Sequence, residues 1–427
     1  MDTDRRNFLK KTAVAGGALA LGFSACSPAR EETITGGEGS LSQAGRSLKI
    51  LILGGTTFTG PHHVRYAIER GHEVTIFTRG RSQPGLFQDS FEQVEHLIGD
   101  RGEDLSALQG RSWDAVIDAS GRDVEWTRNS AELLRDAVET YLYISSTGVY
   151  YPYLTTEITE DTGPVLEESS TGRSSSSSYG VTKALSEIEV HKAFGDRACV
   201  VRPGYIVGPL DMTNRGTYWP ERFRRGGEVL VPGKKHDLVQ QIDVRDLTEW
   251  IVHLLENQIH GVFNATGPAS PLTMEAFIHG MKAITSAEVS YTWIEDYEFL
   301  TEHNFTFAIP WIMPVGNNFG SQRISVARAK DAGLTYRSIA VTALDTLEWY
   351  HSGAMTDEQR GDPPMPVSPA RESEILSVWK ARASLCSDCF RQRDTSSRFS
   401  GAPPPLKRRF SEKNLVSCSR LRCGPAR

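Results

Sequence analysis

Cysteine is scarce in the body of this 427-residue chain, which excludes a disulfide-stapled fold. Cys26 lies near the N-terminus, Cys199 stands alone in an apolar run, and Cys386, Cys389, Cys418 and Cys423 all fall in the last segment. An excess of positive charge is missing as well. The 47 Lys and Arg face 53 Asp and Glu, for a formal net charge of −6. Nucleic-acid sites need basic stripes, so nucleic acid is not expected as the main partner. Long apolar runs are also absent. The stretch Ala13–Phe23 is rich in Gly and Ala and falls short of the roughly 20 residues that span a bilayer. What remains is a globular composition, 39% hydrophobic, on a chain long enough for two lobes.

The short apolar run sits in the setting of an export signal. Arg5, Arg6, Lys10 and Lys11 precede it, Gly16 and Gly17 weaken it as a helix interior, and Ser24-Ala25-Cys26 ends it. Arg5-Arg6-Asn7-Phe8-Leu9-Lys10 resembles the twin-arginine signal, departing from it only at Asp4, where Ser or Thr is usual. The resemblance implies the twin-arginine export machinery as a partner, and a periplasmic or membrane-anchored location outside the cytoplasm. Cys26 resembles a lipoprotein cleavage site, so a lipid anchor there and ordinary cleavage nearby both stay open. Residues 27–46 are polar and rich in Gly and Ser, the composition of a flexible linker.

Beyond the linker the pattern changes to alternating strands and helices. Lys49–Leu53 reads as a buried parallel strand, followed by a turn carrying Gly54, Gly55 and Gly60, a helix over Pro61–Arg70 and a second strand over Glu73–Phe77. A glycine turn between strand and helix lets a pyrophosphate approach free N–H groups at a helix N-terminus. Thr57 stands where Gly-x-x-Gly-x-x-Gly spacing has glycine, so its Cβ requires a displaced cofactor or a shifted backbone. No acid follows the second strand, which ends Thr78-Arg79-Gly80-Arg81. That favours the 2′-phosphate of NADP over NAD, with Arg79 as the contact. Val94–Ile98, Asp114–Asp118 and Thr140–Ile144 continue the strands, with helices near 123–138 and 181–194. The expected fold is α/β, a Rossmann-type doubly wound parallel sheet with a smaller C-terminal substrate lobe.

Three motifs follow the fifth strand: ISSTGVYY (144–151), SYGVTKALSE (178–187) and VVRPGYIVGP (200–209). Tyr179 and Lys183 lie four apart, on one face of a helix. Together with the GGTTFTG turn, Gly99-Asp100 and QQIDVRDL (240–247), these motifs resemble the extended short-chain dehydrogenase/reductases, the NAD(P)-dependent epimerase/dehydratase family. The resemblance covers roughly residues 48–350 and lies near atypical members with a GGTxFxG turn. It implies Tyr179 as catalytic acid/base, Lys183 as its activator and Ser146 as the substrate-orienting hydroxyl, with Ser145 and Thr147 as alternates. It also implies cofactor contacts at Gly54, Gly55, Thr57, Phe58 and Gly60, adenine contact at Asp100, and a nicotinamide border at Arg202, Pro203 and Gly204. A nearby Lys cation and the nicotinamide ring lower the phenol pKa from ~10 toward neutrality, so the tyrosine can exchange a hydroxyl proton as hydride moves.

After residue 203 the pattern loosens into a substrate-binding lobe and closing helices over 204–383, with the nucleotide-binding domain at 47–203 and the signal peptide at 1–26. Tyr150, Tyr151, Trp219 and Arg225 are candidate substrate contacts, and Arg suits a carboxylate or phosphate. Asp243 to Asp246 opens a helix, and residues 370–382 form a last one. Residues 384–427 are rich in Ser, Pro and Arg; Cys386-x-x-Cys389 and Cys418-x₄-Cys423 could in principle hold zinc, but the second spacing is loose and the stretch between them has no folded pattern, so a disordered tail is expected. The expected activity is an exported NAD(P)-dependent oxidoreductase, epimerase or dehydratase acting on a small alcohol or carbonyl, sugar-like substrates included. The alternative is a non-catalytic sensor or scaffold, since relatives with this turn include chloroplast stem-loop RNA-binding proteins. The oligomeric state has no signature.

Overall fold

The apolar runs pair side by side in one parallel sheet. The computed structural model describes residues 43–167, 175–305, 307–308, 310–361 and 365–382. Its strands are β1 (Lys49–Leu53), β2 (Glu73–Thr78), β3 (Glu95–Ile98), β4 (Trp113–Asp118), β5 (Val138–Ile144), β6 (Ala198–Pro203), β7 (Tyr205–Val207), β8 (Gly227–Pro232), β9 (Gln241–Asp243), β10 (Gly261–Ala265) and β11 (Val289–Ile294), besides the short antiparallel pair Phe307–Ala308 and Trp311–Ile312. Seven of them form the main sheet in the order β10-β6-β5-β4-β1-β2-β3. Every pair in it is parallel. The order reverses between β1 and β4, which opens a crevice at the carboxyl ends of the strands.

Helices cover both faces because alternate residues of each strand point to opposite sides. Ile50, Ile52, Ile76, Ile117 and Leu142 pack with Val64 of the first helix (Thr59–Glu69) and Ile251 and Leu254 of the helix Val244–Glu256. Leu51, Leu53, Val116, Tyr141 and Tyr143 pack with Leu134 of the helix Val124–Leu134 and Val190 of the helix Ser175–Phe194. Side-chain caps fix the helix starts: Asp123 accepts from Glu125 N and Asp243 from Arg245 N. The helix expected to open at Asp243 therefore does so.

The second lobe has its own core. β8 and β11 pair in parallel, and Trp219, Phe223, Phe277 and Trp311 fill the space between them and the surrounding helices. A helix over 369–382 closes this lobe. The short pair β7–β9 joins the lobes directly after β6. The export signal, the linker up to residue 42, residues 168–174 and the cysteine-bearing tail lie outside the described residues. Among the described residues no helix is long and apolar enough to cross a membrane, and no group of three His, Cys, Asp or Glu could hold a metal.

Candidate functional site

The glycine turn is built as a cradle. Gly54 and Gly55 hold φ of +110° and +113°, which L side chains rarely adopt. A Cβ on Gly60 would stand 2.4 Å from the Gly55 carbonyl carbon, so only glycine lets the helix start sit on the turn. Thr57 is exposed, and its carbonyl accepts from Gly60 N at 3.0 Å. The backbone shift falls on the next residue, Phe58, with φ 43°. The Phe58 ring packs against the cluster of Leu210, Trp349, Tyr350 and Met355, so that residue serves the turn through its backbone.

Tyr179 and Ser146 meet at the carboxyl end of β5. The helix Ser175–Phe194 starts earlier than the expected 181 and takes up part of the serine run, so Tyr179 lies inside it, not at its start. The Tyr179 and Ser146 hydroxyls face each other, Ser146 drawing the phenol pKa down, and Ser146 Oγ accepts from Gly148 N at 3.0 Å. Tyr179 stays 50% exposed, open to a ligand. Its two neighbours of similar chemistry are occupied elsewhere. Ser145 Oγ donates to Glu187 Oε1 at 2.5 Å, and Thr147 is buried on the side of Tyr153, whose phenol it draws down. Of the three hydroxyls proposed from the sequence, Ser146 is the one that faces Tyr179.

Lys183 lies one turn further along, 7% exposed. Its Nζ donates to the carbonyls of Gly121 (2.8 Å) and Ile144 (2.9 Å) and sits 6.0 Å from the centre of the Tyr179 ring. Burial pushes the lysine down to about 8, against the pull of Asp118. Burial also raises the Tyr179 phenol, while the Ser146 hydrogen bond and then Arg122 and Arg215 pull it back. Arg122 and Arg215 thus bear on the phenol together with Lys183, the cation expected from the sequence, whose Nζ faces the ring.

Behind the hydroxyls runs a buried network. Arg202 forks onto Glu187 (2.9 and 2.6 Å) and donates to the Tyr150 hydroxyl (2.6 Å), which donates to Asn264 Oδ1 (2.8 Å). This corrects two expectations. Tyr150 is 3% exposed and belongs to the network, not to a substrate surface, and the Arg202 side chain is turned away from any ligand. Trp219 has no exposed surface at all and stacks in the second-lobe core with Phe223. Arg225 faces solvent, and the tyrosine whose field it enters is Tyr218, not Tyr179. Trp219, Phe223 and Arg222 of that helix serve packing because their partners come from distant segments, which no local pattern announces.

The remaining expected positions lie along the crevice. Arg79 is exposed at the end of β2 and has no hydrogen-bond partner among the described residues. Asp100 follows β3 and accepts from Gly102 N at 2.9 Å. Pro203 is buried, and a Cβ on Gly204 would stand 2.5 Å from Thr266 Oγ1. Missed from the sequence were Tyr153, Tyr205, Arg122 and Arg215. The only available signal was Arg122 immediately after the fourth strand's Asp118-Ala-Ser-Gly end.

Solved structures share this architecture. A UDP-glucuronic acid 4-epimerase from Bacillus cereus in complex with NAD aligns with TM-score 0.51 and 16% identity, over 70% of this chain and 96% of its own. A dTDP-glucose 4,6-dehydratase from Bacillus anthracis in complex with NAD aligns with TM-score 0.52 and 15% identity, over 73% and 98%. By sequence, the chloroplast stem-loop binding protein of 41 kDa b from Arabidopsis thaliana is 32% identical over 234 residues, 51% of this chain and 58% of that protein. The chain thus spans little more than half of that relative. The human epimerase family protein SDR39U1 is 28% identical over 243 residues, 53% of this chain and 78% of that protein. The pattern of the NAD dependent epimerase/dehydratase family matches residues 50–265, half of the sequence and the whole of the main sheet beyond its first residue. The chain belongs to the NAD dependent epimerase/dehydratase family.

Proposed function

We propose that the protein is an exported NADP-preferring oxidoreductase, epimerase or dehydratase that works on an alcohol or carbonyl carbon. The observation that carries this reading is the Tyr179–Ser146 hydroxyl pair, open to solvent, with Lys183 buried behind it at the carboxyl end of β5. The glycine cradle fits a dinucleotide: its positive-φ glycines and the Gly60–Gly55 approach leave backbone N–H groups where a pyrophosphate would lie. Arg79 would meet a ribose 2′-phosphate and Asp100 the adenine. When bound, the dinucleotide supplies the hydride donor or acceptor. Tyr179 takes or gives the hydroxyl proton of the substrate, and Ser146 holds the same oxygen by hydrogen bonding. Lys183 keeps β4 and β5 in register with the helix through its two carbonyl contacts. Twin-arginine export moves folded proteins, so a cofactor bound in the cytoplasm could cross with its pocket.

Similarity to a protein named for stem-loop binding favours a second reading, a non-catalytic binding module on the same fold. The net charge of −6 weighs against an RNA partner. One experiment separates the two. The full chain is titrated with NADPH and NADH by fluorescence and screened for turnover, alongside Tyr179→Phe. An enzyme loses turnover by about 10²-fold or more in Tyr179→Phe and keeps its nucleotide. Absence of binding to either nucleotide sinks the oxidoreductase reading, and tight stem-loop RNA binding would replace it.

A further inference from the structure

The carboxyl ends of β1, β3 and β4 meet around a tryptophan that the proposed chemistry leaves without a role. Trp126 stands in the first turn of the helix Val124–Leu134, half-buried. Gly102, in the loop after β3, faces it. A Cβ on Gly102 would stand 2.7 Å from Trp126 Nε1 and 3.5 Å from Asp100 Oδ1, so the indole edge and the Asp100 carboxylate border one point. Asp100 Oδ1 accepts from Gly102 N at 2.9 Å. Asp100 Oδ2 and the indole N–H have no partner among the described residues. The loop is closed on itself by Asp104 N, which donates to the Asp100 carbonyl at 2.8 Å.

Arg101 fixes this arrangement from below. It is 7% exposed and donates to both carboxylate oxygens of Asp118 at the end of β4. It also donates to the Trp126 carbonyl (3.2 Å), Ser130 Oγ (2.6 Å) and Ser120 Oγ (3.2 Å). Ser120 in turn touches the glycine cradle, since a Cβ on Gly54 would stand 3.4 Å from Ser120 Cβ. One buried cation thus ties the loop after β3 to the helix that carries Trp126, and its Ser120 contact continues to the cradle.

An indole is a large flat apolar surface, and every nucleobase has a π-face that can stack on it. An ionised carboxylate only accepts hydrogen bonds. It suits the exocyclic amine of adenine and opposes the carbonyl oxygen that hypoxanthine or guanine carries at the same position. We propose that Trp126 is the stacking platform for the adenine of the dinucleotide, with Asp100 reading the amine, so that the two residues together set base specificity. This rests on the reading of the glycine turn as a dinucleotide cradle and of Asp100 as the adenine contact. Arg101 is a positioning residue here: by holding the Trp126 carbonyl it sets the indole against the Asp100 loop. Gly102 is where loop and indole come closest, and a side chain there would enter the space between them.

The test uses the full chain and calorimetric titration with NADPH, NADH and their deamino analogues, in which hypoxanthine replaces adenine. The proteins are the wild type, Trp126→Leu, Trp126→Phe and Asp100→Asn, each checked by thermal melting. Trp126→Leu should weaken the better-bound nucleotide at least fivefold, the lower end of base–aromatic stacking, and Trp126→Phe should restore most of that loss. The wild type should bind the adenine form at least fivefold more tightly than the deamino form. Asp100→Asn should erase that preference, since an amide can donate to the hypoxanthine oxygen. The ratio of the two forms is taken on one sample, so it does not move with a general loss of stability. Unchanged affinity in Trp126→Leu, a phenylalanine no better than leucine, or equal binding of the adenine and deamino forms by the wild type overturns the proposal. Nucleotide binding that survives Trp126→Leu intact sinks this proposal alone and leaves the oxidoreductase reading standing. A wild type that binds neither NADPH nor NADH sinks both.

Discussion

Gly180 lies so close to Gly148 that a Cβ on it would stand 2.1 Å from the Gly148 carbonyl oxygen. This contact presses the helix carrying Tyr179 onto the turn carrying Ser146. Gly148 is itself in contact range of the Tyr179 ring, with an added Cβ 3.4 Å from Cδ1. The hydroxyl pair therefore depends on two glycines that have no chemistry of their own. Gly180→Ala must push the helix outward and part the hydroxyls. We expect a stability loss of about 1–3 kcal/mol, as for overpacked interiors, with turnover falling further than stability alone explains. Thermal melts read against kcat check this, and an alanine variant with native kcat would show that the approach is not needed.

Glu187 sits one turn beyond Lys183 and holds both Ser145 and Arg202, the latter pair 5% and 4% exposed. Its removal strands a buried guanidinium, which typically costs about 3–5 kcal/mol. Glu187→Gln should lose that much in urea denaturation. Replacing both charges, in Glu187→Leu with Arg202→Met, should recover most of it, since a packed apolar pair need not pay for desolvation. If the double variant is as unstable as the single one, the network does more than compensate charge.

The depressed lysine makes stability depend on alkaline pH in a defined direction. Lys183 in the folded chain titrates at about 8, against its ordinary 10.5. Below pH 8 folded and unfolded chains both hold the proton, and the full burial penalty opposes folding. Between about 8 and 10.5 the unfolded chain keeps a proton that the folded one has released, so this group's contribution rises with pH. The slope approaches about 1.4 kcal/mol per pH unit, about 3 kcal/mol in all. Lys183→Met removes the effect, so the stability of wild type relative to variant should climb across pH 7, 8.5 and 10 in denaturant titrations. A constant difference would mean that the lysine is not desolvated in the folded chain.

Much of the fold was legible in the sequence because it is written in local patterns. Apolar pentads such as Lys49–Leu53 and a turn with Gly54, Gly55 and Gly60 leave few alternatives to a parallel strand entering a helix. The Tyr179/Lys183 spacing survives in the structure for the same reason, since both lie on one helix. What escaped was set by contacts across long sequence separations. Glu187 reaches Ser145 over 42 residues, and Arg202 meets Tyr150 over 52. The sequence leaves Tyr150 a candidate substrate contact because its partner Asn264 lies 114 residues away. Arg122 and Arg215 were unremarkable in the sequence.

The basic helix Tyr218–Arg225 shows the same long-range logic and yields the last prediction. Arg222, three residues before the candidate substrate contact Arg225, is 6% exposed and donates through Nε to both carboxylate oxygens of Glu372 (2.9 and 2.6 Å). Glu372 also accepts from Leu230 N at 3.0 Å, so one carboxylate ties the helix over 369–382 to β8 and to the tryptophan-bearing helix. Arg222 further donates to the carbonyls of Gly226 (2.8 Å) and Glu228. Glu372→Ala leaves that cation buried without its anion, and an uncompensated charge costs about 3–5 kcal/mol. The loss should fall on the second lobe, because the main sheet has a separate core around Ile52 and Leu142. Hydrogen exchange should therefore accelerate in β8 and Tyr218–Arg225 while β1, β4 and β5 keep their protection. Acceleration spread evenly over both lobes would show instead that the two cores unfold as one unit, and Glu372 would then be holding the whole molecule.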